Sequence, residues 1–116
     1  AGHQLPVIVT AGGAAPAESA GGGFPLGVVE DATFTTTTIP GVGDAPFVFF
    51  AYTDGVTEAA NADRELFGTD RLMALLDASR DLGPGALVTK VRKAVAGFAG
   101  GAAQSDDITM LAARVG

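Results

Sequence analysis

The chain has 116 residues, 47% of them hydrophobic and 17% charged, and this balance predicts one globular domain with its own core rather than a disordered tail. Its formal net charge is −6 and its seven basic residues are spread thinly, so nucleic acid and anionic membrane surfaces are not expected as partners. The absence of cysteine excludes disulfide bonds and thiolate metal sites, and a single histidine argues against a zinc site of the usual type.

Strand patterns dominate the first half of the chain. The β-branched run at residues 5–10 predicts a strand, and the Gly-, Ala- and Pro-rich residues 11–27 predict a long connection with room for a weak hairpin. The threonine-rich residues 30–40 predict an exposed or edge strand, followed by a turn at residues 40–44. The aromatic run "PFVFFAYT" at residues 46–53 predicts a central strand that is buried on both faces.

Two helices and a last strand are predicted in the second half. Leucines at helical spacing indicate a helix over residues 69–81, and a second helix over residues 84–100 begins with Pro84 and ends at a glycine pair. Its apolar stripe comprises Leu87, Val91, Val95 and Phe98. Residues 107–115 predict the last strand. Because strands and helices do not alternate, the order favours an α+β fold, with helices packed on a mostly antiparallel sheet of which one face could lack cover.

An acidic residue directly follows the most apolar strand. Asp54 comes at the rim of the core, and its charged form would be stabilised there by a divalent cation. Gly55 would permit a sharp turn and close approach of a ligand, and a helical turn from Val56 would bring Glu58 near the same point. On chemistry alone, a helix cap within an ordinary Asp-Gly turn explains Asp54 equally well.

A second pair of acids, Asp106 and Asp107, precedes the last strand. Taken alone, a solvated loop is the better interpretation, because adjacent side chains in a strand point to opposite faces. Together with Asp54, the pair indicates hard cations such as Mg²⁺ or Mn²⁺, which take carboxylate oxygens from several strand ends. His3 is more typical of a loop hydrogen bond than of a ligand. No glycine-rich phosphate loop and no serine with a partner base is recognisable.

Six segments in order, "AGHQLP", "FPLGV", "PGVGD", "FVFFAYTDGVTEAAN", "FGTDRL" and "QSDDITMLAAR", resemble the SpoIIE/RsbU-like branch of the PPM-type metal-dependent protein serine/threonine phosphatases. The resemblance covers essentially the whole chain, and "YTDGVTEA" and "DDIT" are its most specific parts. It implies two packed antiparallel β-sheets with flanking helices. It also implies two Mn²⁺ or Mg²⁺ ions per complete domain and a metal-activated water that attacks phosphoserine or phosphothreonine without a phosphoenzyme.

The same resemblance implies roles for individual residues. Asp54 matches the family's "TDG" aspartate and Asp106 the first acid of its "DD/DN" pair, so both would bind one metal. Glu58 matches an acidic position near an optional third metal. Asp107 matches the second member of the pair and more plausibly supports the loop, while Gly55 and His3 are further candidates near the metals. Gln4 and Leu5 replace the family's common Asn-Pro, a difference not expected to matter.

The resemblance also implies something that is not in the sequence. The family's first metal motif, an aspartate-rich "GD…D" segment, would lie upstream of "AGH", and the chain opens without methionine and enters a strand pattern almost at once. We therefore expect residues 1–116 to be the C-terminal part of one phosphatase domain. This chain alone is then expected to be inactive, and an inactive fragment or pseudophosphatase that binds a partner is the alternative.

The branch implies a phosphorylated regulatory protein as the partner. In partner-switching stress or sporulation pathways, it is typically the phosphoserine form of an anti-sigma-factor antagonist. A homodimer of the longer protein is left open. No apolar run approaches the roughly 18 residues of a membrane span and no signal-peptide pattern opens the chain, so a cytoplasmic location without membrane contact is expected.

Overall fold

Strands lie towards both ends of the chain, and helices fill the stretch between them. The computed structural model describes residues 4–17, 26–34, 36, 45–103 and 106–116. Within these residues the elements in chain order are strands β1 (Val7–Thr10), β2 (Gly13–Pro16) and β3 (Phe47–Tyr52), helices α1 (Asp54–Thr57), α2 (Gly68–Ala78) and α3 (Pro84–Ala99), and strand β4 (Met110–Val115).

The four strands form one sheet in the order β2-β1-β3-β4, and every neighbouring pair is antiparallel. Strands β1 and β2 form a hairpin. Strand β2 lies in residues 11–27, where a weak hairpin was expected, but it pairs with β1 rather than with another part of that stretch. The Asp77 side chain of α2 contacts the β1–β2 hairpin: it accepts a hydrogen bond from the Ala14 amide at 3.1 Å. The α+β class with an antiparallel sheet is thereby confirmed, while a second sheet is not formed within the described residues.

The central strand β3 is buried on one face only, so the prediction of burial on both faces was wrong. Val48, Phe50 and Tyr52 are buried beneath the helices, whereas Phe47 and Phe49 on the opposite face are half-buried. The aromatic run itself could not reveal this difference, because both faces carry apolar side chains. No helix or strand of the described residues covers the sheet face that carries Phe47 and Phe49. The sequence analysis expected that one face of the sheet could lack cover.

The two long helices follow the predicted hydrophobic stripes. Leu72 and Leu76 of α2 and Leu87, Val91 and Val95 of α3 are fully or almost fully buried against the sheet. Their burial provides most of the helix stability, because propensity alone does not hold helices of this length in water.

The observed ends of α3 agree closely with the predicted ends, whereas the C-terminal end of α2 differs from its prediction. Pro84 occupies the first turn of α3, and Gly100 ends the helix with a positive φ of 65° that favours glycine. Helix α2 ends at Ala78 rather than reaching residue 81. The chain turns at Ser79, whose amide donates to the Leu76 carbonyl and whose carbonyl accepts from Leu82.

The strand predicted over residues 30–40 is not formed in its described part. Residues 26–31 make turns, Asp31 has a positive φ of 58°, and residues 32–34 have no strand partner. Threonine content alone predicted a strand where the backbone turns. Residue 35, residues 37–40 and the rest of the predicted turn up to residue 44 lie outside the described residues.

In the part of the chain that the structure describes, none of the helices is both long enough and apolar enough to cross a membrane. The longest, α3, has 16 residues, and its exposed side carries Lys90, Arg92 and Lys93.

Candidate functional site

The end of β3 and the start of β4 lie side by side at one edge of the sheet. Tyr52, the last residue of β3, pairs with Met110, the first residue of β4. One residue further, the Thr53 amide donates a hydrogen bond to the Thr109 carbonyl at 3.0 Å. Since the strands are antiparallel, this pairing brings the segments that carry Asp54 and Asp106 together.

The Thr53 side chain fastens these two segments. Its hydroxyl accepts a hydrogen bond from the Thr109 amide at 3.0 Å and donates to the Asp107 carbonyl at 3.1 Å. Thr53 is also the N-cap of α1, yet its side chain makes no cap hydrogen bond, because it is used across the junction instead. Sequence reasoning missed Thr53. The one sequence feature that could have pointed to Thr53 is its position between a buried strand and the candidate ligand Asp54.

Gly55 is needed for close approach of the two segments rather than for an unusual backbone angle. It is buried, and a β-carbon at this position would lie 2.1 Å from the carbonyl oxygen of Asp107. Such a contact is far shorter than van der Waals separation, so only glycine fits without moving the loop. The close neighbour in this structure is the protein's own backbone. The prediction that Gly55 adjoins a bound metal is untested.

Asp54 is the first residue of α1 and is exposed. The cap position belongs to Thr53, so the alternative interpretation of Asp54 as a helix cap is wrong. The Gln4 side-chain amide donates a hydrogen bond to the Asp54 carboxylate. Gln4, whose difference from the family's common residue was not expected to matter, therefore contacts the candidate ligand.

The other candidate acids make different contacts. The Asp106 carboxylate accepts a hydrogen bond from the Asp107 amide at 2.7 Å, and both residues are exposed. Asp107 contacts the β3 end through its backbone carbonyl. Glu58 is exposed one turn after Asp54, and its amide donates to the Asp54 carbonyl at 2.8 Å. His3 lies outside the described residues.

The pKa of the buried tyrosine beside this junction is affected by burial and by Asp54. Tyr52 is only 5% exposed, and burial raises the pKa of its phenol, with the nearby Asp54 carboxylate raising it further. Both effects disfavour the phenolate, because it would be poorly solvated and close to another negative charge.

The comparison with protein families identifies the family of the chain. The family described as stage II sporulation protein E (SpoIIE) matches residues 1–116. The chain belongs to the SpoIIE family. This is the branch of the PPM-type phosphatases that the six sequence segments indicated.

Similarity to curated proteins is more limited. This SpoIIE-family chain is 33% identical over 87 residues to "Protein IcfG" from Synechocystis sp.. The aligned part is 75% of the chain and 13% of that relative. The chain therefore spans a small fraction of the relative it matches. No solved structure matches the chain.

The donor chemistry of the SpoIIE-family junction fits Mn²⁺ or Mg²⁺ in part. Its candidate ligands, Asp54 and Asp106, offer carboxylate oxygens, which these hard cations prefer. Within the described ranges, however, no three His, Cys, Asp or Glu side chains form a group able to hold a metal ion. The two aspartates would therefore be, at most, part of a ligand set.

Proposed function

We propose that residues 1–116 form the C-terminal part of a PPM-type phosphatase domain that hydrolyses phosphoserine or phosphothreonine in a regulatory protein. The observation that carries the proposal is the hydrogen-bonded junction between the "TDG" and "DDIT" segments, with Thr53 linked to Asp107 and Thr109. It joins the two segments that are most specific to the family, and both bear acids with the right ligand chemistry.

Asp54 and Asp106 would hold a Mn²⁺ or Mg²⁺ ion. When bound, such an ion would lower the pKa of water enough to supply a nucleophile for a phosphate ester near neutral pH. The residues of this chain contribute position: a sheet edge carries both acidic segments, and the Gln4 amide orients the Asp54 carboxylate. Glu58, Asp107 and Gly55 are proposed as further residues that bind or support the metal. His3, outside the described residues, is proposed for the same role from the sequence alone.

The substrate class follows from the family branch. We propose a phosphorylated anti-sigma-factor antagonist as the partner, acting in a stress or sporulation pathway in the cytoplasm. Within the part of the chain that the structure describes, no basic cluster that would suit nucleic acid accompanies the junction. The chain's net charge of −6 favours a metal-dependent domain over a nucleic-acid-binding one.

A second function is favoured by one observation. Because no complete group of metal-binding side chains exists within the described ranges, the chain by itself would act as a partner-binding module without catalysis. The two functions differ in whether an aspartate-rich segment elsewhere in the full-length protein completes the ligand set.

The test uses the full-length protein with Mn²⁺ and a phosphoserine peptide of the antagonist type. Asp54→Ala and Asp106→Ala are each expected to abolish hydrolysis while circular dichroism and the unfolding midpoint stay close to those of the wild type. Asp81→Ala is the control, because Asp81 is exposed beyond α2 and away from the junction. Full activity in either junction variant would rule out the metal assignment.

Calorimetry adds a measurement that does not depend on turnover. Mn²⁺ titrated into the 116-residue chain is expected to bind saturably, and Asp54→Ala is expected to remove that binding. If the chain binds no Mn²⁺ and the full-length protein hydrolyses no phosphoserine peptide, the catalytic proposal is overturned, and the chain is a fold fragment or a partner-binding surface.

A further inference from the structure

A cleft of about 340 Å³ opens between the C-terminal half of α3 and the residues that follow α1. Its volume is within the range of clefts that bind ligands. Small side chains make up most of its wall among the described residues, and we call it the alanine cleft: it is defined by Ala59, Ala60, Ala96, Ala99, Ala102 and Ala103.

The exposed surface around the cleft has an unusual composition. Residues 94–103 read "AVAGFAGGAA" and contain no polar side chain. Several of them, including Ala96, Gly97 and Ala103, are nevertheless exposed. The preceding turns of α3 present Lys90 and Lys93 to solvent, as a solvated helix face usually does. An exposed apolar surface beside a polar one is typical of a binding site.

The alanine cleft begins at the candidate metal junction. Gly55 and Ile108 line it, and they directly follow Asp54 and Asp107 in the chain. Consecutive Cα atoms lie about 3.8 Å apart, so a peptide with its phosphoserine at the junction could place a neighbouring side chain in the cleft.

Among the described residues that line the cleft, only Arg92 is charged. It is exposed, and it makes no hydrogen bond or ion pair with the rest of the described chain. An unpaired guanidinium beside an uncharged wall favours a carboxylate on the ligand, which it can bind in a two-pronged manner.

We propose that the alanine cleft binds the segment of the phosphoprotein substrate next to its phosphorylated residue. An aliphatic side chain of that segment lies against the alanines, and a carboxylate of the same segment pairs with Arg92. The proposal rests on the proposed function, because continuity with the candidate metal junction is what selects a phosphoprotein over other occupants. It assigns substrate selectivity to α3 and the loop after it.

The test measures equilibrium binding to the full-length protein, so that it does not depend on turnover. Fluorescein-labelled phosphoserine peptides carry one leucine and one aspartate at one to three residues on either side of the phosphoserine, and reference peptides carry alanine at both positions. The phosphoserine is replaced by its non-hydrolysable phosphonate analogue, and fluorescence anisotropy is recorded with Mn²⁺, because without a cation Asp54 and Asp106 would repel the phosphate. At least one placement is expected to bind about tenfold tighter than its reference, as one charge-assisted contact with some apolar burial predicts.

Two substitutions in the cleft, each paired with a similar substitution outside it, test whether the peptide binds in the alanine cleft. Arg92→Glu is expected to remove the tenfold preference, whereas Lys93→Glu, the same charge change on the adjacent residue outside the cleft, is expected to keep it. Ala96→Leu, which fills the cleft, is expected to weaken binding, whereas Ala86→Leu at an exposed position near the start of α3 is not. Unfolding midpoints of all four variants show whether each is folded.

The outcomes separate this proposal from the function on which it rests. Equal binding of leucine-aspartate and reference peptides, or a preference that survives Arg92→Glu and Ala96→Leu, would overturn the cleft assignment even if the protein is an active phosphatase. Failure to hydrolyse p-nitrophenyl phosphate with Mn²⁺ would count against the proposed catalysis. A preference lost only in the two cleft variants would still establish the cleft as a partner-binding site.

Discussion

The carbonyl oxygen of Asp107 lies 2.1 Å from the point where a β-carbon on Gly55 would stand. The glycine and the carbonyl belong to segments about fifty residues apart, and the contact holds one candidate ligand segment against the other. Because the obstacle is backbone rather than a flexible side chain, a larger residue cannot be accommodated by rotamer change.

Gly55→Ala is therefore expected to displace the loop at residues 106–109 and to lower the free energy of unfolding by about 1–3 kcal/mol, the usual cost of overpacking. Urea unfolding followed by circular dichroism measures this. Gly97→Ala is the matched control, because a β-carbon there meets nothing within 4 Å. It should stabilise the helix by about 0.5–1 kcal/mol. Equal stability of Gly55→Ala and wild type would mean that the loop moves without cost.

Thr53→Val tests the side chain that joins the two segments. Valine keeps the shape of threonine but leaves the Thr109 amide and the Asp107 carbonyl without the hydroxyl. We expect a loss of about 1 kcal/mol in the free energy of unfolding, with weaker Mn²⁺ binding by calorimetry. Thr69→Val, at an exposed position in the first turn of α2, should leave Mn²⁺ binding unchanged. A similar loss of affinity in both variants would contradict a specific role for Thr53.

Ser79→Ala tests a buried hydroxyl that has no hydrogen-bond partner within the described chain. Ser79 follows α2 and is 2% exposed, and its Oγ is unpaired there. Burying an unpaired hydroxyl is unfavourable, so its removal should leave stability unchanged or raise the free energy of unfolding by up to about 1 kcal/mol. Thermal and urea unfolding measure the change. Destabilisation by more than about 1 kcal/mol would indicate that the hydroxyl has a partner in solution.

Tyr52 gives a pH-dependent prediction, because it is the single tyrosine of a chain without tryptophan. Burial, and then Asp54, raise its pKa above 10.0, so ultraviolet absorbance should show tyrosinate forming at higher pH than in the urea-unfolded chain. The native state favours the neutral phenol. This contribution to stability is therefore fully present below the unfolded pKa and is lost as pH rises through the native pKa.

Substitutions of two aspartates, one close to Tyr52 and one distant from it, test the electrostatic part of this shift. Asp54→Asn should lower the native pKa of Tyr52 only partway, since burial is the larger cause, while Asp81→Asn should not change it. A native titration that coincides with that of the unfolded chain would show that Tyr52 is solvated. Unfolding free energies measured on both sides of the transition provide an independent check.

Local sequence signals predicted the helices and most strands. The Leu87, Val91 and Val95 stripe, Pro84 at the helix start and Gly100 at its end each act within one or two turns, so short-range chemistry was sufficient for α3. The same reasoning failed for residues 30–34. Threonine has a high strand propensity, but a strand also needs a partner for its backbone groups, and the backbone turns there instead.

The sequence by itself determined the family, the α+β class and the identity of the candidate ligands, because these depend on residue types and their order. Only the tertiary structure decided how the ligand segments meet. The Thr53 hydroxyl, the Gln4 amide and the Gly55–Asp107 contact each join residues about fifty positions apart. No local pattern encodes such contacts. The Thr53 and Gly55 contacts exist because antiparallel pairing of β3 with β4 places two strand ends at one edge of the sheet. The Gln4 contact depends on the pairing of β1 with β3, which brings the residues before β1 towards the end of β3.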